Sequence, residues 1–324
     1  MKTIIYKLKF AAICCSLLSA FFCLQESQAQ QLLDDFNDNS LNPAWTAAAT
    51  AGTVDITETG GQLVIEGTGS NGASYLTQDV SSLYNTTLDT NTGLMTWTFN
   101  MQQSRSNPSG FANGNYGVGV VIAGSNSNLA DGTGYAVVLG NSGTTDNVRL
   151  VRFTSGLNGG TLTDIVVDGS DYGTNHLSIG VTYNPATDEW ALYVRNDGGN
   201  FADPSNVTSI AASGTAIDNT YTNTPLNHFG AVWNHATGSE DAEFDNFSIP
   251  GSSTPTFNFN ATTASTPEGN TGTTDITVDV TLSADADCTI DIVALGSSTA
   301  TNSTDYTVSP SSLTFTSGGT TSQT

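Results

Sequence analysis

The segment Asp241-Ala-Glu-Phe-Asp-Asn-Phe-Ser-Ile249 decides the fold. Because strand side chains alternate between two faces, Phe244 lies on one face and its acidic neighbours lie on the other. Phe247 is three residues after Phe244, so regular alternation would place the two side chains on opposite faces. A β-bulge at Asp245-Asn246 would return Phe247 to the same apolar face. The next residues, Pro250-Gly-Ser-Ser-Thr-Pro255, have the composition of a linker. The sequence therefore predicts the closing strand of a β-domain that ends near residue 250.

Most of the preceding chain also has the pattern of strands. Helical periodicity is absent, and Gly, Asn, Ser, Thr and Asp dominate the gaps, as turns require. So many short segments predict an all-β, antiparallel sandwich over residues 30–250. We also expect the opening segment Leu33–Phe36 to pair beside residues 242–249. The predicted strands are Gln62–Glu66, Tyr75–Val80, Leu94–Gln102, Tyr116–Ala123, Gly134–Leu139, Val148–Phe153, Thr163–Val167, His176–Tyr183, Trp190–Arg195, His228–Trp233 and Ala242–Ile249.

Residues 1–29 have the three parts of a secretory signal peptide. Lysines precede the apolar run Phe10–Leu24, which is too short to span a bilayer comfortably. Ser27-Gln28-Ala29 is a small-x-small cleavage site. We therefore expect an exported protein that is secreted or held at the cell surface, with no membrane insertion after cleavage.

The charge of the exported chain is strongly negative. All three lysines lie in residues 1–29, which leaves 29 acidic residues against four arginines, a net charge of −25. Such a surface excludes nucleic acid and anionic membranes as partners, because their phosphates need Lys or Arg. Two interpretations stay open: an acidic extracellular surface adapted to salt, or specific binding of calcium.

Three segments carry a resemblance to a known family. The hairpin Leu177–Arg195, the opening Leu33–Trp45 and the closing Glu243–Ile249 resemble the concanavalin A-like lectin/glucanase superfamily, in its laminin-G-like style. The resemblance implies a jelly roll of two curved antiparallel sheets. It also implies that the concave face binds an extracellular glycan or cell-surface ligand, and that calcium pins the terminal strands on the other side.

Acidic residues at both ends of this domain are candidate calcium ligands. Asp34 and Asp35 lie in the opening segment and Asp245 lies in the closing strand, and calcium takes hard oxygen ligands. We expect Asp35 and Asp245 to form the metal site. The alternative is that Asp-Asp and Asp-Asn only stabilise turns.

Residues 257–324, which follow a linker at 251–256, carry a second resemblance. Phe257-Asn-Phe259, Thr266-Pro-Glu-Gly269, Ser298–Tyr306 and Leu313-Thr-Phe315 are similar to a Calx-beta domain. The resemblance implies an immunoglobulin-like β-sandwich. Because the last strands and the acidic closing segment of that family are missing, we expect this second sandwich to be incomplete and C-terminally truncated.

Two residues of this module match positions that hold calcium in Calx-beta domains. They are Glu268 and Asp305, and the resemblance implies that they are metal ligands. Further acidic ligands of the family fall in the missing segment, so the site would be incomplete. The alternative is that both residues only belong to turns.

The acidic residues do not predict an enzyme. Retaining glucanases need two carboxylates about 5–5.5 Å apart, and the superfamily's β-glucanases carry them as Glu-x-Asp-x-x-Glu. The nearest approach is Glu240-Asp-Ala-Glu-Phe-Asp245, whose spacing and position differ. We therefore predict a non-catalytic surface or adhesion protein that binds carbohydrate and calcium. The alternatives are a divergent glycan hydrolase and a purely structural spacer.

Overall fold

The computed structural model describes residues 28, 30–50, 55–66, 72–112, 116–158, 160–235, 240–251, 257–259, 279–282, 288–291, 312–315 and 322–323. Strands dominate them, with short 3-10 turns at Leu88–Thr90 and Pro204–Ser209. Among these residues, no helix has the length and apolarity needed to cross a membrane. The predicted signal peptide falls almost entirely outside the described residues and stays a prediction.

The strands of residues 30–250 are short, and antiparallel pairing joins them. In chain order they are β1 (Gln30–Asp34), β2 (Thr46–Ala49), β3 (Ile56–Thr59), β4 (Gln62–Glu66), β5 (Gly72–Asp79), β6 (Met95–Gln103), β7 (Gly117–Gly124), β8 (Thr133–Leu139), β9 (Val148–Thr154), β10 (Thr161–Val167), β11 (His176–Asn184), β12 (Glu189–Gly198), β13 (Gly214–Ile217), β14 (His228–His235) and β15 (Asp241–Pro250).

These strands form two sheets. Sheet I has the order β13-β12-β11-β6-β15-β4-β3, with β1 also paired to β15. Sheet II has the order β10-β9-β8-β7-β14-β5-β2. One apolar cluster draws buried residues from both sheets, so the sheets pack face to face. The prediction of an all-β antiparallel sandwich is confirmed.

Aromatic side chains fill the space between the sheets. Tyr135 of sheet II lies 4.4 Å from Trp190 of sheet I, measured between ring centroids, and Trp97 stacks on Trp190 at 6.0 Å. At the other end of the core, Phe247 of sheet I meets Phe229 of sheet II edge to face at 5.1 Å. All five rings are fully buried, so burial of this apolar surface holds the sheets together.

The predicted bulge in the closing strand is present. The pairing of β15 with β6 shifts register between Asp245 and Ser248, and Asn246 has a left-handed φ of 52°. Asn tolerates this conformation better than most residues that carry a Cβ atom. As a result Phe244 and Phe247 both face the core and are fully buried.

The opening strand pairs with the closing strand, as predicted. Gln31 lies opposite Ile249, and Asp34 lies opposite Phe247. Strands β2, β3 and β13 were not predicted, because each has only four residues. The predicted strands are otherwise confirmed, with ends that differ by up to three residues.

The described residues beyond 251 form two small antiparallel sheets. One contains Phe257–Phe259, Val280–Leu282 and Ser322–Gln323. The other pairs Cys288–Asp291 with Ser312–Phe315. The immunoglobulin-like arrangement, the boundaries of this module and its truncation stay predictions.

Candidate functional site

The pairing of β1 with β15 brings the predicted metal ligands of the sandwich together. Asp245 is half-buried, and burial followed by the negative charges of Asp35 and Asp34 raises its pKa to about 6. Its Oδ1 atom accepts a hydrogen bond of 2.7 Å from the backbone N–H of Asn246, which acts in the opposite direction. The charge of Asp35 therefore acts on Asp245, and their role as ligands of one metal ion stays a prediction.

Asp34 has a structural role in the same segment. Its Oδ1 accepts a hydrogen bond of 2.9 Å from the Phe36 backbone N–H, and its Oδ2 accepts one of 2.8 Å from Trp45 Nε1. The two bonds fix the opening loop over the core, where Phe36 is fully buried. Asp34 thus supplies charge near Asp245, while both its oxygens already have partners.

The arginines of the described residues are paired with other carboxylates. In the described part of the chain Asp245 therefore has no salt bridge that offsets its repulsion from Asp35. The arginine pairs are Arg105 with Glu240, Arg149 with Asp164, Arg152 with Asp218 and Arg195 with Asp197.

Asp35 and Asp245 supply some, but not all, of the oxygen ligands that a calcium ion needs. Asp35 and Asp245 offer carboxylate oxygens, but calcium takes six to eight oxygen ligands. Across the described residues, no group of three or more His, Cys, Asp or Glu side chains is arranged to hold a metal ion. Backbone oxygens and water would have to complete the coordination. Glu268 and Asp305 lie outside the described residues, so their predicted role stays a prediction.

A second polar site lies where three loops meet at one end of sheet II. We call the loops 104–112, 140–147 and 168–175 the loop rim. Arg149 ties two of them together, because its Nη2 donates to the Gly110 carbonyl and its Nε to the Gly140 carbonyl, each at 2.9 Å. A Cβ atom on Gly140 would collide with the Pro108 carbonyl oxygen, so glycine permits this close approach.

Asp146 lies at the centre of the loop rim and is only 2% exposed. Its backbone N–H donates to Asp171 Oδ1 at 3.1 Å. The side-chain amide of Asn107 is oriented with its nitrogen toward two oxygen atoms. It donates to Asp146 Oδ1 at 3.2 Å and to the Gly143 carbonyl at 2.8 Å. Burial, and then the charge of Asp171, raises the pKa of Asp146 to about 6. Asp146 is thus a poorly solvated hydrogen-bond acceptor at the end of the sandwich.

An aromatic side chain and a cation pack together beside Asn107. The Arg105 guanidinium carbon is 3.6 Å above the centroid of the Tyr116 ring, and Arg105 Nε donates to the Asn107 carbonyl at 3.4 Å. Arg105 Nη1 also donates to both carboxylate oxygens of Glu240, at 3.0 and 2.8 Å. The loop rim and the adjacent Tyr116 therefore combine a buried carboxylate, an exposed amide and a partly exposed aromatic ring, a combination that suits a polar organic ligand.

Sequence reasoning missed the loop rim. Asp146 follows Gly143-Thr-Thr145, which has the composition of an ordinary exposed turn. Its burial depends on loops that are distant in sequence. The only local signal was the density of glycines that allow the loops to approach closely.

Comparisons with known proteins give structural neighbours alone. No family model matches the chain, and no curated protein matches it. One similar solved structure is the lectin UEA-II complexed with galactose, with 10% sequence identity and a TM-score of 0.46; the match covers 69% of this chain and 99% of that chain. Peanut lectin with a 9mer peptide has 13% identity and a TM-score of 0.44, over 69% of this chain and 97% of that chain. Arcelin-5, a lectin-like defense protein from Phaseolus vulgaris, has 11% identity and a TM-score of 0.42, over 68% of this chain and 97% of that chain. These identities and TM-scores are low. The evidence for the fold of this chain is therefore its own strand order and strand registers.

Proposed function

We propose that this chain is a secreted, non-catalytic surface or adhesion protein whose β-sandwich binds carbohydrate. The observation that carries the proposal is Asn107 at the loop rim, an exposed amide whose orientation is fixed by the buried carboxylate of Asp146. A polyol ligand offers many hydroxyl groups, and an oriented amide can exchange hydrogen bonds with them. Tyr116 is partly exposed and carries Arg105 over one face, so it offers an apolar surface of the kind that sugar rings pack against.

A binding role fits the acidic residues better than catalysis does. Glu240 belongs to the segment that most resembled a glucanase motif, and it is held by Arg105 at 2.8 Å. Both carboxylate oxygens of Glu240 accept hydrogen bonds from Arg105, so this side chain has a structural partner, whereas an acid catalyst must reach the leaving-group oxygen. The hydrolase therefore stays the second candidate, and a spacer without a ligand stays the third.

Calcium is part of the proposed function. Asp35 and Asp245 would contribute carboxylate oxygens where β1 meets β15, and the ion would neutralise charges that no arginine of the described residues offsets. We further propose that residues 257–324 act as a calcium-binding Calx-beta module through Glu268 and Asp305. Export is supported by the three-part pattern of residues 1–29.

A glycan array tests the carbohydrate proposal directly. We expect saturable binding to at least one class of extracellular polysaccharide or surface glycan by the full chain in millimolar calcium. Release of reducing sugar from a bound glycan would identify a hydrolase instead. A chain that binds nothing on the array, with or without calcium, would be the structural spacer.

A further inference from the structure

The side chain of Asn141 folds back onto the peptide bond that follows it. The backbone N–H of Ser142 donates a hydrogen bond of 2.7 Å to Asn141 Oδ1. A carbonyl bond is about 1.23 Å long, so the carboxamide carbon Cγ lies at most about 3.9 Å from the Ser142 nitrogen. The backbone nitrogen of Ser142 is therefore held beside the electrophilic carbon of the preceding side chain.

This contact differs from the usual hydrogen bond of an asparagine in a turn. Such side chains ordinarily accept from the backbone N–H two positions further along the chain. The usual arrangement occurs here at Asn42, Asn85, Asn126, Asn128, Asn184 and Asn196. Asn126 is the best comparison with Asn141, because each is half-buried and is followed by an exposed serine. Asn126 Oδ1 accepts from the Asn128 N–H at 2.9 Å, so the side chain of Asn126 is held by an amide other than that of Ser127.

The loop that carries Asn141 is fixed at both ends and open in the middle. The Gly140 N–H donates to the Asn147 carbonyl at 2.8 Å, and the Gly140 carbonyl accepts from Arg149 Nε at 2.9 Å. Between these anchors, residues 142–145 are exposed. The anchors limit the movement of Asn141 relative to the next peptide bond, which favours a reaction between the two groups. The exposed residues give solvent water access to the same bond.

We propose that Asn141 is a site of spontaneous covalent modification, at which the Ser142 nitrogen attacks Asn141 Cγ and closes a five-membered succinimide ring. A bond forms between the Ser142 nitrogen and Cγ, and the bond from Cγ to Nδ2 breaks. The amide hydrogen of Ser142 leaves with Nδ2 as ammonia. Water from the solvent then opens the ring at either carbonyl and gives aspartate or isoaspartate. Neither step is an oxidation or a reduction, and water is the only co-reactant.

The modification would alter the loop rim, and this consequence rests on the proposed function. Either product adds a carboxylate to the loop that contains Asp146, and isoaspartate also adds a carbon atom to the main chain. Gly143, two residues after Asn141, accepts the hydrogen bond of 2.8 Å that helps to orient the Asn107 amide. A shift of the Gly143 carbonyl would weaken this orientation. A chain converted at Asn141 should therefore bind glycan less tightly than the unchanged chain.

Incubation of the full chain at mildly alkaline pH, followed by peptide mass mapping, tests this site. Cleavage after Tyr135 puts Asn126 and Asn141 into different peptides, and conversion of the amide to an acid is measured as a gain in mass. We expect Asn141 to convert at least about fivefold faster than Asn126, because the two share the Asn-Ser dipeptide and differ in the placement of the side chain. In concentrated urea, where the folded contacts are lost, the two rates should agree to within about twofold.

A variant tests the attacking atom directly. Ser142→Pro replaces the attacking N–H with a ring nitrogen that has no hydrogen to lose, so it should abolish conversion at Asn141 and leave Asn126 unchanged. The comparison in urea uses the unchanged chain and does not depend on the folding of this variant.

Three results would overturn the proposed modification. They are equal rates at Asn126 and Asn141 in the folded chain, a rate ratio that persists unchanged in urea, and conversion of Asn141 in Ser142→Pro. Mass mapping needs no ligand, so a failure to bind glycan would leave this test unaffected. A chain converted at Asn141 that binds glycan as tightly as the unchanged chain would overturn the effect on the loop rim alone.

Discussion

Phe36 and Phe247 meet edge to face at 5.3 Å between ring centroids, which joins the opening loop to the closing strand inside the core. Phe247 reaches this position only because the bulge at Asn246 turns its side chain to the core face of the strand. Its ring also lies within 6.3 Å of Phe99 and 5.9 Å of Trp45. The packing of the opening loop and of the closing strand therefore depends on this ring.

Phe247→Ala should lower the free energy of unfolding by about 3–5 kcal/mol, the usual cost of emptying a buried aromatic site. Urea denaturation followed by intrinsic fluorescence measures the loss. Leu32→Ala is the control, because Leu32 is 58% exposed on the neighbouring strand and should change stability by less than about 0.5 kcal/mol. Equal effects of the two substitutions would contradict the packing described here.

Asn246 should tolerate glycine better than valine. Its left-handed φ is accessible to glycine without strain, whereas a β-branched residue is disfavoured there. Glycine would also lose the hydrogen bond from Asn246 Nδ2 to Asn100 Oδ1, at 2.9 Å. We expect Asn246→Val to destabilise by about 1–3 kcal/mol more than Asn246→Gly. Thermal unfolding of both variants measures this, and a valine variant as stable as the glycine variant would argue against the bulge.

Stability should fall as pH rises through the titration of Asp146. The folded-state pKa is about 6, against an ordinary value of 3.8, so the folded state holds this proton more tightly than the unfolded chain. The contribution of Asp146 is therefore most favourable below pH 4 and is lost between about pH 4 and 6. Asp146→Asn should flatten that part of the profile, measured as unfolding free energy against pH. Asp131→Asn, at an exposed turn, should retain the slope, and a profile unchanged by Asp146→Asn would refute the assignment.

Calcium should raise the melting temperature of the sandwich by several degrees, because an ion bound only by the folded form stabilises it by mass action. Asp245→Asn should remove most of this response. If calcium only screened the net charge of −25 that residues 30–324 carry, sodium chloride at high ionic strength would reproduce its effect. Differential scanning calorimetry at fixed ionic strength, with calcium or with a chelator, separates the two. Identical melting curves would exclude a specific site.

The sequence predicted those features that depend on local alternation. Period-two patterns located the long strands, and the parity break between Phe244 and Phe247 located the bulge. Thr46-Ala-Ala-Ala49 has no alternation of polar and apolar residues, so β2 was missed. The proximity of Asp35 to Asp245 could be anticipated from the sequence, because it depends only on the pairing of the first strand with the last strand of the sandwich.

The loop rim and the ion pair of His176 with Glu243 could not be predicted in this way. Asp146 is buried by loops far from it in sequence, and their meeting depends on the order of strands in sheet II. His176 and Glu243 are 67 positions apart and face each other only because β6 separates their strands in sheet I. Strand order depends on the packing of the whole chain, and no local pattern encodes it.

Glycan binding by the unchanged chain and by Asp146→Asn is the most direct test of the central claim. The ligand is the best glycan from the array, and isothermal titration calorimetry in millimolar calcium gives the affinity. We predict that Asp146→Asn weakens binding at least tenfold while Asp131→Asn has no effect. A hydrogen bond to a charged acceptor contributes about 1.5–3 kcal/mol, and without the charge of Asp146 the amide of Asn107 loses its fixed orientation. Binding of equal affinity by the unchanged chain and Asp146→Asn would contradict the assignment of carbohydrate binding to the loop rim.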